Sequence, residues 1–119
     1  MKKENPILEM TFDFSLQIIE LYKFLVQKRE YVLSRQVLKS GTSIGANVEE
    51  AIAAQSKKDF ISKMAIASKE ARETKYWLRL LDRSKLIDKD IKSYLDSIEH
   101  IVNILTKIVK TSQQGIQNL

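Results

Sequence analysis

The chain contains no cysteine, one proline, three glycines and a single histidine. Without cysteine there can be no disulfide and no thiolate metal site. With one histidine, His100, there is little material for acid–base or metal chemistry. A helix-bundle di-iron site uses Glu-x-x-His, and position 97 is Ser97. Helical ribonucleases that set an arginine a few residues before a histidine would need it at positions 93–95, which are Ser93, Tyr94 and Leu95. No Gly-rich loop runs into Lys-Ser or Lys-Thr as phosphate-binding loops do; Gly41-Thr-Ser-Ile-Gly45 shares only the glycines. His100 therefore reads as a surface or rim residue without the partners that proton transfer needs. No apolar run approaches the roughly 20 residues of a membrane span, and the start, MKKENPILEM, lacks the apolar core of a signal peptide. These absences predict a cytoplasmic protein with no catalytic residue, no metal, no cofactor and no membrane contact.

What is present is helical periodicity. The 119 residues make one domain, long enough to bury a core without staples. The stretch Ser40–Ala51 organises it. Val37, Gly41, Ile44, Val48 and Ile52 recur at steps of three and four, and Leu38, Gly45 and Ala51 widen the stripe. That is one face of an α-helix. Each glycine inside a helix costs about 1 kcal/mol relative to alanine, so Gly41 and Gly45, one turn apart, call for an offset. Close backbone approach by a neighbouring helix supplies one.

Around this stretch the pattern predicts four helices. The first covers about Phe12 to Lys28, with Phe12, Ile18, Ile19, Tyr22, Leu25 and Val26 as its stripe and Phe14, Leu21 and Phe24 extending it. A stripe this wide implies burial on two sides, as in a bundle or an oligomer. Residues 1–10 read as loose at first, with Asn5-Pro6 able to cap a helix. The second helix covers about Val32 to Gln55. The third runs from residue 57 to about Arg83, behind a Ser56 cap with Asp59 three residues on, and turns Phe60, Met64, Ala67, Ala71, Leu78 and Leu81 to the core. The fourth runs from about Lys89 to Lys110, with Asp88 as cap and a coiled-coil-like seam of Ile91, Leu95, Ile98, Val102, Leu105 and Val109. The tail Thr111–Leu119 is polar and is expected to fray. Long helices with short connections predict an all-α, antiparallel up-down four-helix bundle.

Two polar pairs sit beside these faces: Asn47 with Glu50, and Glu73 with Trp77, each within one turn. They read either as a hydrogen-bonded polar layer that fixes bundle register or as a pocket or subunit contact. The third helix also carries a charge pattern. On a helical wheel Lys69, Arg72, Lys75, Arg79 and Arg83 fall within an arc of about 120°, with Tyr76 among them. No acid of that helix falls inside the arc; Glu70 and Glu73 flank one edge and Asp82 the other. The arc reads either as a phosphate-tracking stripe with Tyr76 available for base stacking, or as a solvated face. The net charge of +5 suits an acidic partner such as RNA, although proteins of other functions are equally basic.

The block LKSGTSIGANVEEA (Leu38–Ala51) and the block DFISKMAIASKEARETKYWLRLL (Asp59–Leu81) resemble consecutive helices of the four-helix proteins encoded in 23S ribosomal RNA intervening sequences. The resemblance runs from about Phe14 to Val109. It implies a homopentamer of antiparallel four-helix subunits and an association with RNA. A similar fold serves as the accessory protein of diversity-generating retroelements, which binds a reverse transcriptase and nucleic acid. The expected function is thus a non-enzymatic oligomer binding RNA or other nucleic acid through basic faces. The alternative is a scaffold or accessory subunit whose basic surface docks a protein partner.

Overall fold

Asn5 and Pro6 start the first helix. The Asn5 backbone is extended, its side chain accepts the Leu8 N–H at 3.4 Å, and Pro6 takes the first helical position, where an N–H would go unused. In the computed structural model, which describes residues 5–117, α1 therefore spans Pro6–Gln27, beginning well ahead of Phe12. α2 spans Val32–Ile52, α3 Lys57–Ser84 and α4 Lys92–Gln117. No strand occurs among the described residues, and the fold is all-α with four helices.

The helix ends refine the sequence reading. Ser56 Oγ accepts the Asp59 N–H at 3.1 Å, the expected cap of α3. α2 stops at Ile52, short of Gln55. Asp90 rather than Asp88 serves α4: its Oδ1 accepts the Lys92 N–H at 3.0 Å. Burial of the adjacent Ile91 holds the turn there, so the helix starts beyond Lys89. α4 also continues past Lys110 through most of the tail expected to fray. Residues 1–4 and 118–119, the outermost parts of the two segments expected to be loose, lie outside the described residues.

Side-chain pairings show that consecutive helices run antiparallel. Gly41 lies against Ile18 and Gly45 against Thr11; Ser40 meets Thr74 and Glu50 meets Lys63; Arg72 meets Thr106 and Lys75 meets Glu99. In each series one number rises as the other falls. Every helix packs on its neighbours in sequence, and α1 and α4 close the circuit with the sparsest contact. The core holds Ile18, Leu21, Leu25, Val37, Ile44, Val48, Met64, Leu78, Ile98 and Leu105. Each of these side chains contributes about 1.5–3 kcal/mol by leaving water.

Five residues of the expected stripes lie outside the core: Phe12 is 58% and Ile52 44% exposed, and Ile19, Tyr22 and Val26 are half-buried without joining it. Phe12 sits about 120° round the wheel from Ile18, so the face that buries Ile18 turns Phe12 aside. Ile52 is the last residue of α2. The glycines mark a close approach of α1 and α2. A Cβ on Gly41 would stand 2.9 Å from both Cγ1 and Cγ2 of Ile18, and one on Gly45 would stand 3.2 Å from the Thr11 carbonyl oxygen.

The connections 28–31 and 85–91 lie at one end of the molecule. α1 finishes there in a Schellman turn: the Arg29 N–H donates to the Val26 carbonyl and the Glu30 N–H to the Leu25 carbonyl, both at 2.9 Å. This turn puts Arg29 at φ 63°, and α3 ends with Lys85 at φ 57°. Both are left-handed conformations that ordinarily go to glycine.

Candidate functional site

The sequence places its basic residues at steps of three and four, so α3 carries them along one side. In the structure Lys69, Arg72, Arg79 and Arg83 are exposed on that side, and Tyr76 between them is 53% exposed. Lys75 lies nearest the core, is half-buried and pairs with Glu99 of α4. The Arg72 guanidinium donates to Thr106 Oγ1 at 2.9 Å. This bond orients Arg72 and leaves its charge in place. Among the described residues Lys69, Arg72, Arg79 and Arg83 form no ion pair. The Tyr76 ring meets Trp77 edge-on, with centroids 5.2 Å apart and planes at 70°, so its own faces are not stacked on Trp77.

The arrangement is therefore a side of one helix with two cations oriented by α4 and three that project freely. It offers charge and one aromatic surface. The acid that enters the arc, Glu99, comes from the next helix. Its approach depends on the register of α3 against α4, which a single-helix wheel does not contain.

Of the two polar pairs, Asn47 and Glu50 find separate partners, while Glu73 and Trp77 bond to each other. Asn47 Nδ2 donates to the Ser43 carbonyl at 2.9 Å. Glu50 pairs with Lys63 at 3.4 Å on the surface between α2 and α3. Trp77 Nε1 donates to Glu73 Oε2 at 3.2 Å while its ring packs against the core. The buried polar contact is another one: Thr74 Oγ1 lies 2.9 Å from Ser40 Oγ and donates to the Glu70 carbonyl at 2.8 Å. Ser40 and Thr74 occupy core positions of their stripes, which is the signal that identifies them in sequence.

Two grooves flank α1. Toward α2, Leu8, Phe12, Leu16 and Ile19 line an apolar groove with Thr42 and Ala46, over Gly45 and beside Glu49. Phe12 and Leu16 stand half or more exposed in it. Toward α4, Asp13, Gln17, Ser97 and the exposed His100 surround a small cleft over Phe14 and Ile101. Further along that seam, burial and the Glu20 carboxylate push the Tyr94 hydroxyl pKa up. Among the described residues no three His, Asp or Glu side chains gather as a metal would need. None of the described helices is long and apolar enough to cross a membrane.

The chain superposes with a TM-score of 0.83 on the crystal structure of a protein of unknown function from the S23 ribosomal protein family of Bacteroides thetaiotaomicron; the two are 46% identical over 87% of this chain and 98% of that one. No curated protein matches. Residues 3–107 match the family described as 23S rRNA-intervening sequence protein. With that match over most of its length, and a relative this similar in sequence and fold, the chain belongs to the 23S rRNA-intervening sequence protein family.

Proposed function

We propose that this protein is a non-enzymatic, cytoplasmic homo-oligomer that binds RNA through the basic side of α3. The observation that carries the reading is the set of exposed cations Lys69, Arg72, Arg79 and Arg83, without ion-pair partners among the described residues, beside the exposed ring of Tyr76. Cations placed this way exchange condensed counterions for phosphates, which favours binding and makes it salt-sensitive. Tyr76 adds a surface on which any base can stack. The test is an anisotropy titration of single-stranded RNA over a range of salt. Four phosphate contacts give a log–log slope of about −2.8. A slope near zero removes the reading.

Self-association is supported by the α1–α2 groove, where Phe12 and Leu16 expose apolar area that a monomer would leave in water. The family resemblance points to five copies in a ring, each presenting its own α3. Light scattering at micromolar protein is expected to give a multiple of the chain mass, five-fold for the pentamer. A monomer mass overturns the assembly.

The same groove supports the rival reading, a scaffold that docks a protein partner such as a reverse transcriptase. An interface built on apolar anchors concentrates its energy in a few buried side chains and weakens far less with salt than phosphate contacts do.

A further inference from the structure

We infer that the RNA-contacting surface continues past Arg83 onto the end of the molecule formed by the connections 28–31 and 85–91, with Arg29 and Lys85 as phosphate contacts. This inference rests on the RNA reading above and extends its site to residues outside α3.

The first observation is conformational. Arg29 and Lys85 are the non-glycine residues with positive φ among the described residues, at 63° and 57°. Both follow the last turn of a helix, where glycine adopts this backbone without a side-chain clash. At both places the sequence sets a long cation instead. A residue that local folding disfavours points to a requirement beyond folding.

The second observation is electrostatic. Lys28 Nζ lies 5.6 Å and Lys89 Nζ 4.9 Å from the centre of the Phe24 ring. The two connections thus bring a lysine each to one ring. Among the described residues none of Lys28, Arg29, Lys85 and Lys89 has an ion-pair partner. Two acids of this end are turned to the backbone: Glu30 Oε2 accepts the Ser34 N–H and Asp90 Oδ1 the Lys92 N–H, each at 3.0 Å. Both carboxylates keep their charge, as does Asp88, and the two connections together carry four cations against three acids.

The third observation is continuity. Arg83 belongs to the last turn of α3 and Lys85 follows two residues later, so the free cations of the stripe lead directly onto this end. Tyr31, 51% exposed beside Arg29, gives this end an aromatic ring as Tyr76 does the stripe.

A cation near a helix C-terminus also interacts favourably with the helix dipole. That role and the RNA role predict opposite results for one variant. In R29G/K85G the left-handed backbone passes to glycine. If the cations serve RNA, the melting temperature stays level or rises, RNA affinity at 0.1 M salt falls about 25-fold, and the salt slope loses about 1.4, from two contacts at 0.7 each. A fall in melting temperature with unchanged affinity and slope assigns the cations to the dipole and overturns the inference. Unchanged affinity at any melting temperature overturns it too. The α3 reversal R72E/R79E separates the two proposals: loss of binding there, with R29G/K85G binding like wild type, leaves the stripe standing and ends the RNA surface at Arg83. A wild type that binds no RNA overturns both.

Discussion

Reversing Arg72 and Arg79 to glutamate will lower RNA affinity by about 10²–10³-fold at 0.1 M salt while leaving the helical circular dichroism signal in place. Each lost contact to a single strand removes about 0.7 of the log–log salt slope, or about five-fold in affinity at 0.1 M. Two lost contacts give about 25-fold. Two new carboxylates beside the remaining phosphate path add repulsion of similar size. The fold has little at stake, because both positions are exposed and glutamate is a good helix former. The one native bond broken is that of Arg72 to Thr106, on the surface. Anisotropy and circular dichroism on the same preparation check both halves. Wild-type affinity in the double variant would move the RNA contact off α3 and put the protein-scaffold reading ahead.

Gly41→Leu will destabilise the protein by about 1–3 kcal/mol, the usual cost of forcing methylenes into a filled core. Even a Cβ at this position would stand 2.9 Å from two carbons of Ile18. Ile18 is fully buried and β-branched, so its χ1 has few alternatives. Leucine regains about 1 kcal/mol in helix propensity, which offsets part of the clash and leaves a net loss. Thermal melting is expected to fall by roughly 5–10 °C. A variant melting at or above wild type would show that α1 and α2 separate freely at this point.

The elements most legible in the sequence were those whose evidence lies within one helix. The stripe from Val37 to Val48 and the core face of α3 depend only on period. So does the arc of cations from Lys69 to Arg83. What stayed hidden depends on relations between helices or on absent punctuation. The pairing of Lys75 with Glu99 needs the register of α3 against α4. Phe12 reads as core in the sequence because stripe width does not say which half another surface covers, and it stands 58% exposed. The turn at 28–31 has neither glycine nor proline, so its left-handed Arg29 gave no sign of itself. Asn5-Pro6 is legible as a cap, yet a hydroxyl side chain does not announce its own burial: Thr11 is fully buried, and its hydroxyl donates to the Ile7 carbonyl at 2.8 Å within its own helix.

The sparse contact between α1 and α4 has a kinetic consequence. Helices adjacent in sequence are the ones that pack most fully, and the one join that brings together distant parts of the chain is the thinnest. Most contacts therefore close short loops, the low-contact-order condition under which helical proteins fold in microseconds to milliseconds. The α2–α3 hairpin, with the richest packing and the Ser40–Thr74 contact at its middle, is expected to form first. Docking of α4 along α1 can come last, after most of the chain entropy has been lost to contacts that were cheaper to form.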